Sequence, residues 1–144
     1  MEVEFKKALP ADAAFIAPMN KRMIEDQRHR NPMSVPELQG RMETWLQGEY
    51  ELWYAEAAGK ARAYVLFRRE AGEIYLRQLF VERGNRRQGI GRMLFQWAER
   101  NLWPGEKVRL EVLTDNDAGI RFWKSLGFGE YSLTLEKKPS EGND

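Results

Sequence analysis

Apolar positions along the chain switch between a period of two and a period near 3.6, and the switches mark the elements. In residues 2–9, Val3 and Phe5 alternate with polar neighbours until Pro10 ends the pattern, which predicts a short strand. From about Asp12, Phe15, Ile16, Met19, Met23 and Ile24 recur at three- and four-residue steps, predicting a helix that Pro18 should kink or shorten. His29-Arg30-Asn31-Pro32 breaks the pattern, because proline disfavours helix at the residue before it. Ser34 followed by Glu37 forms a capping box ahead of Leu38, Met42, Trp45 and Leu46, the apolar stripe of a second helix.

From Glu51 the period becomes two, with Leu52 and Tyr54, a turn at Ala58-Gly59-Lys60, then Ala63, Val65 and Phe67, as in a β-hairpin. A second turn at Ala71-Gly72-Glu73 leads into residues 74–81, a nearly continuous apolar run expected to be a buried strand with Tyr75, Arg77, Leu79 and Val81 on one face. Residues 91–102 place Met93, Leu94, Trp97, Ala98 and Leu102 on one side of an amphipathic helix that Pro104-Gly105 ends. A strand at 107–113, a helix at 117–126 stopped by Gly127 and a last strand near 131–135 complete the pattern. Strand, helix and strand over 74–113 form a βαβ unit, so those two strands should be parallel.

Composition narrows the chemistry. The chain has 144 residues, which fits one domain over residues 1–138 with a short polar tail at 139–144. It holds no cysteine and one histidine, His29, so thiolate nucleophiles, cysteine metal sites and a Ser-His-Asp triad are not expected, and no metal site is assigned. Charged residues make up 31% and nearly cancel, at +1. That balance argues against a nucleic-acid binder driven by bulk charge. No apolar run approaches the ~20 residues of a membrane span and the first residues have no signal-peptide character, so no membrane partner and a cytoplasmic location are expected.

The one strong local charge lies at Arg83-Gly84-Asn85-Arg86-Arg87-Gln88-Gly89-Ile90-Gly91-Arg92, between the apolar strand and the amphipathic helix. Unpaired amides and the macrodipole make a helix start an anion site, glycines permit close approach, and arginines add charge. A pyrophosphate is the natural guest. The loop is not a Walker A motif, since Arg92 and Met93 follow Gly91, nor a dinucleotide fingerprint, since Leu94 stands where the third glycine would be.

Arg86-x-x-Gly89-x-Gly91 after a strand ending at Val81, together with Leu110-Glu111-Val112, Asn116, and Trp123 ahead of Leu126-Gly127-Phe128, resembles the GNAT superfamily of acyl-CoA-dependent N-acyltransferases. The resemblance implies an α/β (α+β) fold with a mixed central sheet of about six to seven strands, a βαβ acyl-CoA-binding core and about four flanking helices. It implies acetyl-CoA as the donor, with the pyrophosphate on the amides of Arg87, Gln88, Gly89, Ile90, Gly91 and Arg92, and Arg86 also among the cofactor-binding residues. The pantetheine arm would pair with Leu79, Phe80 and Val81, Asn116 would touch it, and Phe122, Trp123 and Lys124 would flank the thiol. A homodimer is also compatible with the resemblance.

Such enzymes transfer acetyl directly to an amine, here of a small molecule or peptide, which suits a chain without cysteine. At pH 7 an alkyl ammonium with pKa ~10.4 is neutral in about one molecule in 2,500, a penalty of roughly 4.6 kcal/mol that a base or a desolvating pocket must offset. Glu111 matches the base of relatives similar to ribosomal-protein alanine acetyltransferases, and Tyr75 stands where a second subgroup carries its basic glutamate. The alternative for Glu111 is an ion pair with Arg77 or Arg109. Many relatives have a tyrosine at position 123 that protonates the departing thiolate, and an indole N–H cannot do so. Tyr75, Tyr131, water, or departure as thiolate remain open, as does a catalytically impaired acyl-CoA-binding module with Trp123 as packing. Glu25, Asp26 and His29 are the acceptor-site candidates, beside Tyr75.

Overall fold

In a computed structural model the described residues are 2–140, and the chain divides into two units, Met1–Glu111 and Val112–Asp144. The first contains β1 (Glu4–Lys7), α1 (Ala13–Asp26), α2 (Val35–Gln47), β2 (Tyr50–Ala57), β3 (Lys60–Glu70), β4 (Glu73–Val81), α3 (Ile90–Asn101) and β5 (Lys107–Arg109). Its sheet runs in the order β1-β2-β3-β4-β5, antiparallel except for the parallel β4–β5 pair on either side of α3. The β2–β3 hairpin closes through Ala58 and Gly59, both at positive φ (52° and 75°), as a two-residue turn matched to the sheet twist requires.

Helices cover both faces of this sheet. On one, Ile16, Met19 and Met23 of α1 and Met42 of α2 pack on Tyr50, Leu52, Tyr64, Leu66 and Phe80. On the other, Trp97 of α3 stacks on Phe5 at 4.6 Å, and Trp103 meets Phe67 and Phe95 edge-on at 5.0 and 5.9 Å. α2 starts on the expected capping box: the Glu37 N–H donates to Ser34 Oγ, and the Ser34 N–H donates to Glu37 Oε1. α1, by contrast, runs unbroken through Pro18. A helical proline costs about 3 kcal/mol, but the buried faces of Ile16, Met19, Met23 and Ile24 contribute roughly 1.5–3 kcal/mol each and outweigh it.

β4 departs from regular alternation. Leu66 of β3 faces Gln78 while the next residue, Phe67, faces Leu76, so Arg77 is an inserted residue, a β-bulge. The insertion reverses the facing of everything after it. Tyr75 and Arg77 lie with Tyr50 under the α2 side, and Phe80 joins them, whereas Leu79 pairs with Val65 on the α3 side. The single face expected for Tyr75, Arg77, Leu79 and Val81 is therefore split, because the bulge breaks the period of two.

Two further expectations on strands are corrected. The strand expected at 107–113 stops at Arg109, because β5 pairs with β4 only at 73–75 and then loses its neighbour. In the second unit α4 (Asp117–Ser125) forms, but residues 131–135 are not a strand among the described residues. Tyr131, Leu133 and Leu135 do alternate, at 88%, 66% and 83% exposure, yet alternation makes a strand only where a neighbouring edge takes the backbone groups. Among the described residues the sheet accordingly has five strands rather than six or seven, with four α-helices as expected. Residues 141–144 of the expected tail lie outside the described residues.

Candidate active site

Because β4 and β5 pair only through Tyr75 and Arg109, residues 76–81 have strand β3 on one side and no strand partner on the other among the described residues. This free edge ends at Val81, where the chain enters the arginine loop. Gly89 caps α3 with φ +77°, a left-handed conformation that a Cβ would strain, and the space a Cβ would occupy is open. Arg87 is also left-handed, at φ +65°, and exposed. Arg86 to Gly89 are exposed at the end of the free edge, while Ile90 and Gly91, the first residues of α3, are buried.

The loop is braced from behind. Arg83 Nη2 donates to Asp26 Oδ1 at 2.7 Å and Arg86 Nη2 donates to Asp26 Oδ2 at 2.6 Å, while Arg86 Nε donates to the Val81 carbonyl at 3.1 Å. Arg22 of α1 adds a two-pronged pair with Glu82, at 2.6 and 2.9 Å. Burial alone would raise the Asp26 pKa, but the hydrogen bonds from Arg86 and Arg83 outweigh it and hold the carboxyl below its ordinary value. The arginine of the Arg-x-x-Gly-x-Gly pattern is therefore engaged in shaping the loop, which leaves Arg87 as the guanidinium without an acidic partner among the described residues.

At the other end of the free edge, the Tyr75 hydroxyl donates to Glu111 Oε1 at 2.7 Å. Burial first, then the hydrogen bond to Glu111 and its charge, push the Tyr75 pKa up to about 12, so the phenol keeps its proton across the physiological range. Arg109, the other residue considered as a partner for Glu111, instead binds Glu70 and Glu73 at 2.8 and 3.0 Å and covers the Tyr75 ring at 4.6 Å. Arg68 lies over the same ring at 5.2 Å and is held by Glu70.

A family model for the acetyltransferase (GNAT) family matches residues 20–128, more than half of the chain. The chain belongs to the GNAT family. An N-alpha-acetyltransferase of Sulfurisphaera tokodaii is 34% identical over 113 residues, 67% of each chain. Among solved structures, a possible acetyltransferase from Clostridium difficile 630 superposes with a TM-score of 0.78 at 17% identity, covering 98% of this chain and 99% of that one. An aminoglycoside N-acetyltransferase in complex with CoA gives 0.73 at 14%, covering 96% and 95%. At those identities the structures establish the GNAT fold.

Within that fold the expected GNAT residues fall into separate groups. Leu79, Phe80 and Val81 form the free edge, and Arg86 to Arg92 form the loop and the start of α3. Asp26 is engaged by the loop arginines, while Glu25 is exposed on α1. His29 lies in the turn beyond α1, where its Nδ1 accepts from the Asn31 N–H. No hydrogen bond or ion pair joins Glu25, Asp26 or His29 to Tyr75 or Glu111 among the described residues.

In the second unit, Asn116 Oδ1 accepts from the Gly119 N–H and caps α4. Phe128 N–H bonds the Trp123 carbonyl, Gly127 N–H bonds the Lys124 carbonyl with Gly127 at φ +99°, and the Trp123 and Phe128 rings meet at 5.3 Å. This is a Schellman stop with its apolar contact, so Trp123 and the Leu-Gly-Phe sequence are explained by helix termination. Missed from the sequence were Arg41 and Trp45 of α2 and Tyr50 of β2, which surround Arg77. In the sequence Trp45 reads as part of the apolar stripe of α2, and the signal for Arg41 is its spacing of four from Trp45.

Proposed function

We propose that the chain transfers an acetyl group from acetyl-CoA directly to a primary amine of a small molecule or peptide. The observation that carries this reading is the Tyr75–Glu111 hydrogen bond where β4 and β5 part, at one end of an edge whose other end is the glycine-and-arginine loop. The loop fits a pyrophosphate on three grounds: a helix start preceded by an exposed loop, an open approach over Gly89, and an arginine without an acidic partner among the described residues at Arg87. The amides of Gln88 to Arg92 would hold the phosphates, and the 79–81 edge would take the pantetheine arm as a strand takes a neighbour. When bound, the thioester supplies an electrophilic carbonyl.

The protein's own part is proton handling and orientation. Glu111 accepts the proton of the incoming ammonium, directly or through water, which offsets part of the roughly 4.6 kcal/mol cost of presenting a neutral amine at pH 7. Tyr75 donates to the Glu111 carboxylate and so fixes its position. Being protonated, Tyr75 can also give a proton to the departing sulfur and recover it from Glu111, while the second proton that the attacking nitrogen loses passes to water. A backbone N–H of Leu79 or Phe80 serves as oxyanion donor. Trp123 has no step to perform.

Release of free thiol from acetyl-CoA over a broad amine panel tests the reading, with mass detection of the acetylated product. Glu111→Gln should lower kcat by about 10²–10⁴-fold with CoA affinity unchanged. Wild-type activity in that variant would remove Glu111 from the mechanism. CoA binding with no turnover of any amine would favour an acyl-CoA-binding module instead.

A further inference from the structure

Most arginines of the sheet and loop are matched to acids: Arg22 with Glu82, Arg68 with Glu70, Arg69 with Glu106, Arg83 and Arg86 with Asp26, and Arg109 with Glu70 and Glu73. Two beside the Tyr75–Glu111 pair are not. Arg77, the bulge residue of β4, and Arg41 of α2 both lie against one indole, Trp45, with guanidinium carbons 4.6 and 4.3 Å from its centroid. Neither has a carboxylate within ion-pair distance among the described residues. Arg77 makes one hydrogen bond, to the Tyr50 hydroxyl at 3.3 Å, and Arg41 Nε is buried with no acceptor.

That arrangement is costly in an empty protein. Burial and then the charge of Arg77 pull the Arg41 pKa down, as expected for a half-buried guanidinium facing a second, exposed one. A buried, unpaired donor on a charged group adds to the cost. The aromatic surface of Trp45 and Tyr50, 5.2 Å apart, offsets part of it through cation–π contact but supplies no acceptor oxygens. An anion would meet all of these needs at once, and a planar carboxylate matches the guanidinium fork. Arg77 is two residues from Tyr75 on the same side of β4, about 6.5 Å along the strand. An amine at Glu111 and a carboxylate at Arg77 would then belong to one small molecule or one residue.

Resting on the acetyl-transfer reading, we propose that the amine acceptor carries a carboxylate a few bonds from its nitrogen, bound by Arg41 and Arg77 over Trp45. The acceptor is thus an amino acid or the acidic N-terminal residue of a peptide. The arginines bind and orient the acceptor and take no part in proton transfer.

Calorimetric titration of the full chain, saturated with CoA, tests this without requiring turnover. The probes are N-acetylalanine, with an α-carboxylate, N-acetylaspartic α-amide, with a side-chain carboxylate, and N-acetylalaninamide, with none. At least one acid should bind tenfold or more tighter than the neutral amide, and which acid does so distinguishes a free amino acid from an acidic peptide terminus. Arg77→Met and, separately, Arg41→Met should abolish the preference while CoA affinity is kept, and Arg77→Lys should retain part of it. Methionine preserves the apolar stem, so an unchanged melting temperature identifies folded variants, and Arg77 is exposed enough that its loss does not threaten the core. Equal binding of acids and amide by the wild type, or a preference that survives both substitutions, overturns the proposal. Failure of every amine in the thiol-release assay while the acid preference holds would instead remove the transfer reading and leave the carboxylate site standing.

Discussion

Replacing Gly89 by alanine separates backbone strain from ligand approach, because the structure supplies matched controls. Gly89, Gly72 and Gly105 share nearly the same φ, at +77°, +75° and +75°, and at none of them does a Cβ meet an atom within 4 Å. The alanine variants therefore carry the same left-handed strain, about 1–2 kcal/mol, less the 0.4–1 kcal/mol that alanine recovers by restricting the unfolded chain. The net cost is about 1 kcal/mol with no steric contribution, which for a chain of this size lowers Tm by about 3–4 °C. Gly89 alone opens the loop at the start of α3. There the added methyl occupies the path by which a phosphate reaches the helix-start amides, and losing one charge-assisted hydrogen bond costs about 1.5–3 kcal/mol, or roughly 10–100-fold in CoA affinity. Calorimetry with CoA and thermal melts of the three variants without ligand read both quantities. Gly72→Ala and Gly105→Ala should melt like Gly89→Ala and bind CoA like the wild type. Undiminished CoA binding by Gly89→Ala would refute the approach argument, and a Tm loss far larger than in the other two would refute the strain argument.

Other outcomes follow from single contacts. Ala58→Asn, at a left-handed turn position that asparagine tolerates better, should raise stability by up to about 1 kcal/mol in a denaturant titration. Gly119→Ala would drive a Cβ into the Asn116 side-chain amide; that side chain must swing away and release the Gly119 N–H, so the helical signal of α4 should fall at a cost of about 1 kcal/mol in the amide-exchange protection of that helix. The Asp26 carboxyl titrates below its unfolded value, so its stabilisation is full above about pH 4 and is lost as pH falls through the folded pKa. Asp26→Asn should accordingly flatten the acid limb of Tm against pH, while leaving the curve above pH 6 parallel to the wild type.

Much of this was legible in the residues because the signals were local. The capping box at Ser34, the hairpin at Gly59 and the amphipathic stripe of α3 each depend on neighbours within a few positions, and each formed as the pattern implied. The arginine loop was legible for the same reason. What escaped was set by distant pairing. The bulge at Arg77 exists only relative to β3, the end of β5 only relative to β4, and the brace on the loop joins Asp26 to Arg83 and Arg86 across nearly sixty residues of chain. Alternation at 131–135 carries a strand pattern, but no pattern within a segment says whether a partner edge awaits it. Arg41 and Trp45 were hidden differently, since a helix position facing a sheet reads as core unless the opposing residue is known.

Arg77 is also the one position of β4 that the ladder can do without. Deleting it would leave Leu66 opposite Gln78 and Phe67 opposite Leu76, now consecutive, so the β3–β4 pairing would close without interruption and Tyr75, Leu76 and Phe80 would keep their faces. What the extra residue adds is a second neighbouring side chain on the α2 side, where regular alternation allows only one in two. A shorter strand would thus keep the fold and the Tyr75–Glu111 pair and lose only the guanidinium, so that a one-residue change in strand length acts on this surface as a side-chain substitution does elsewhere.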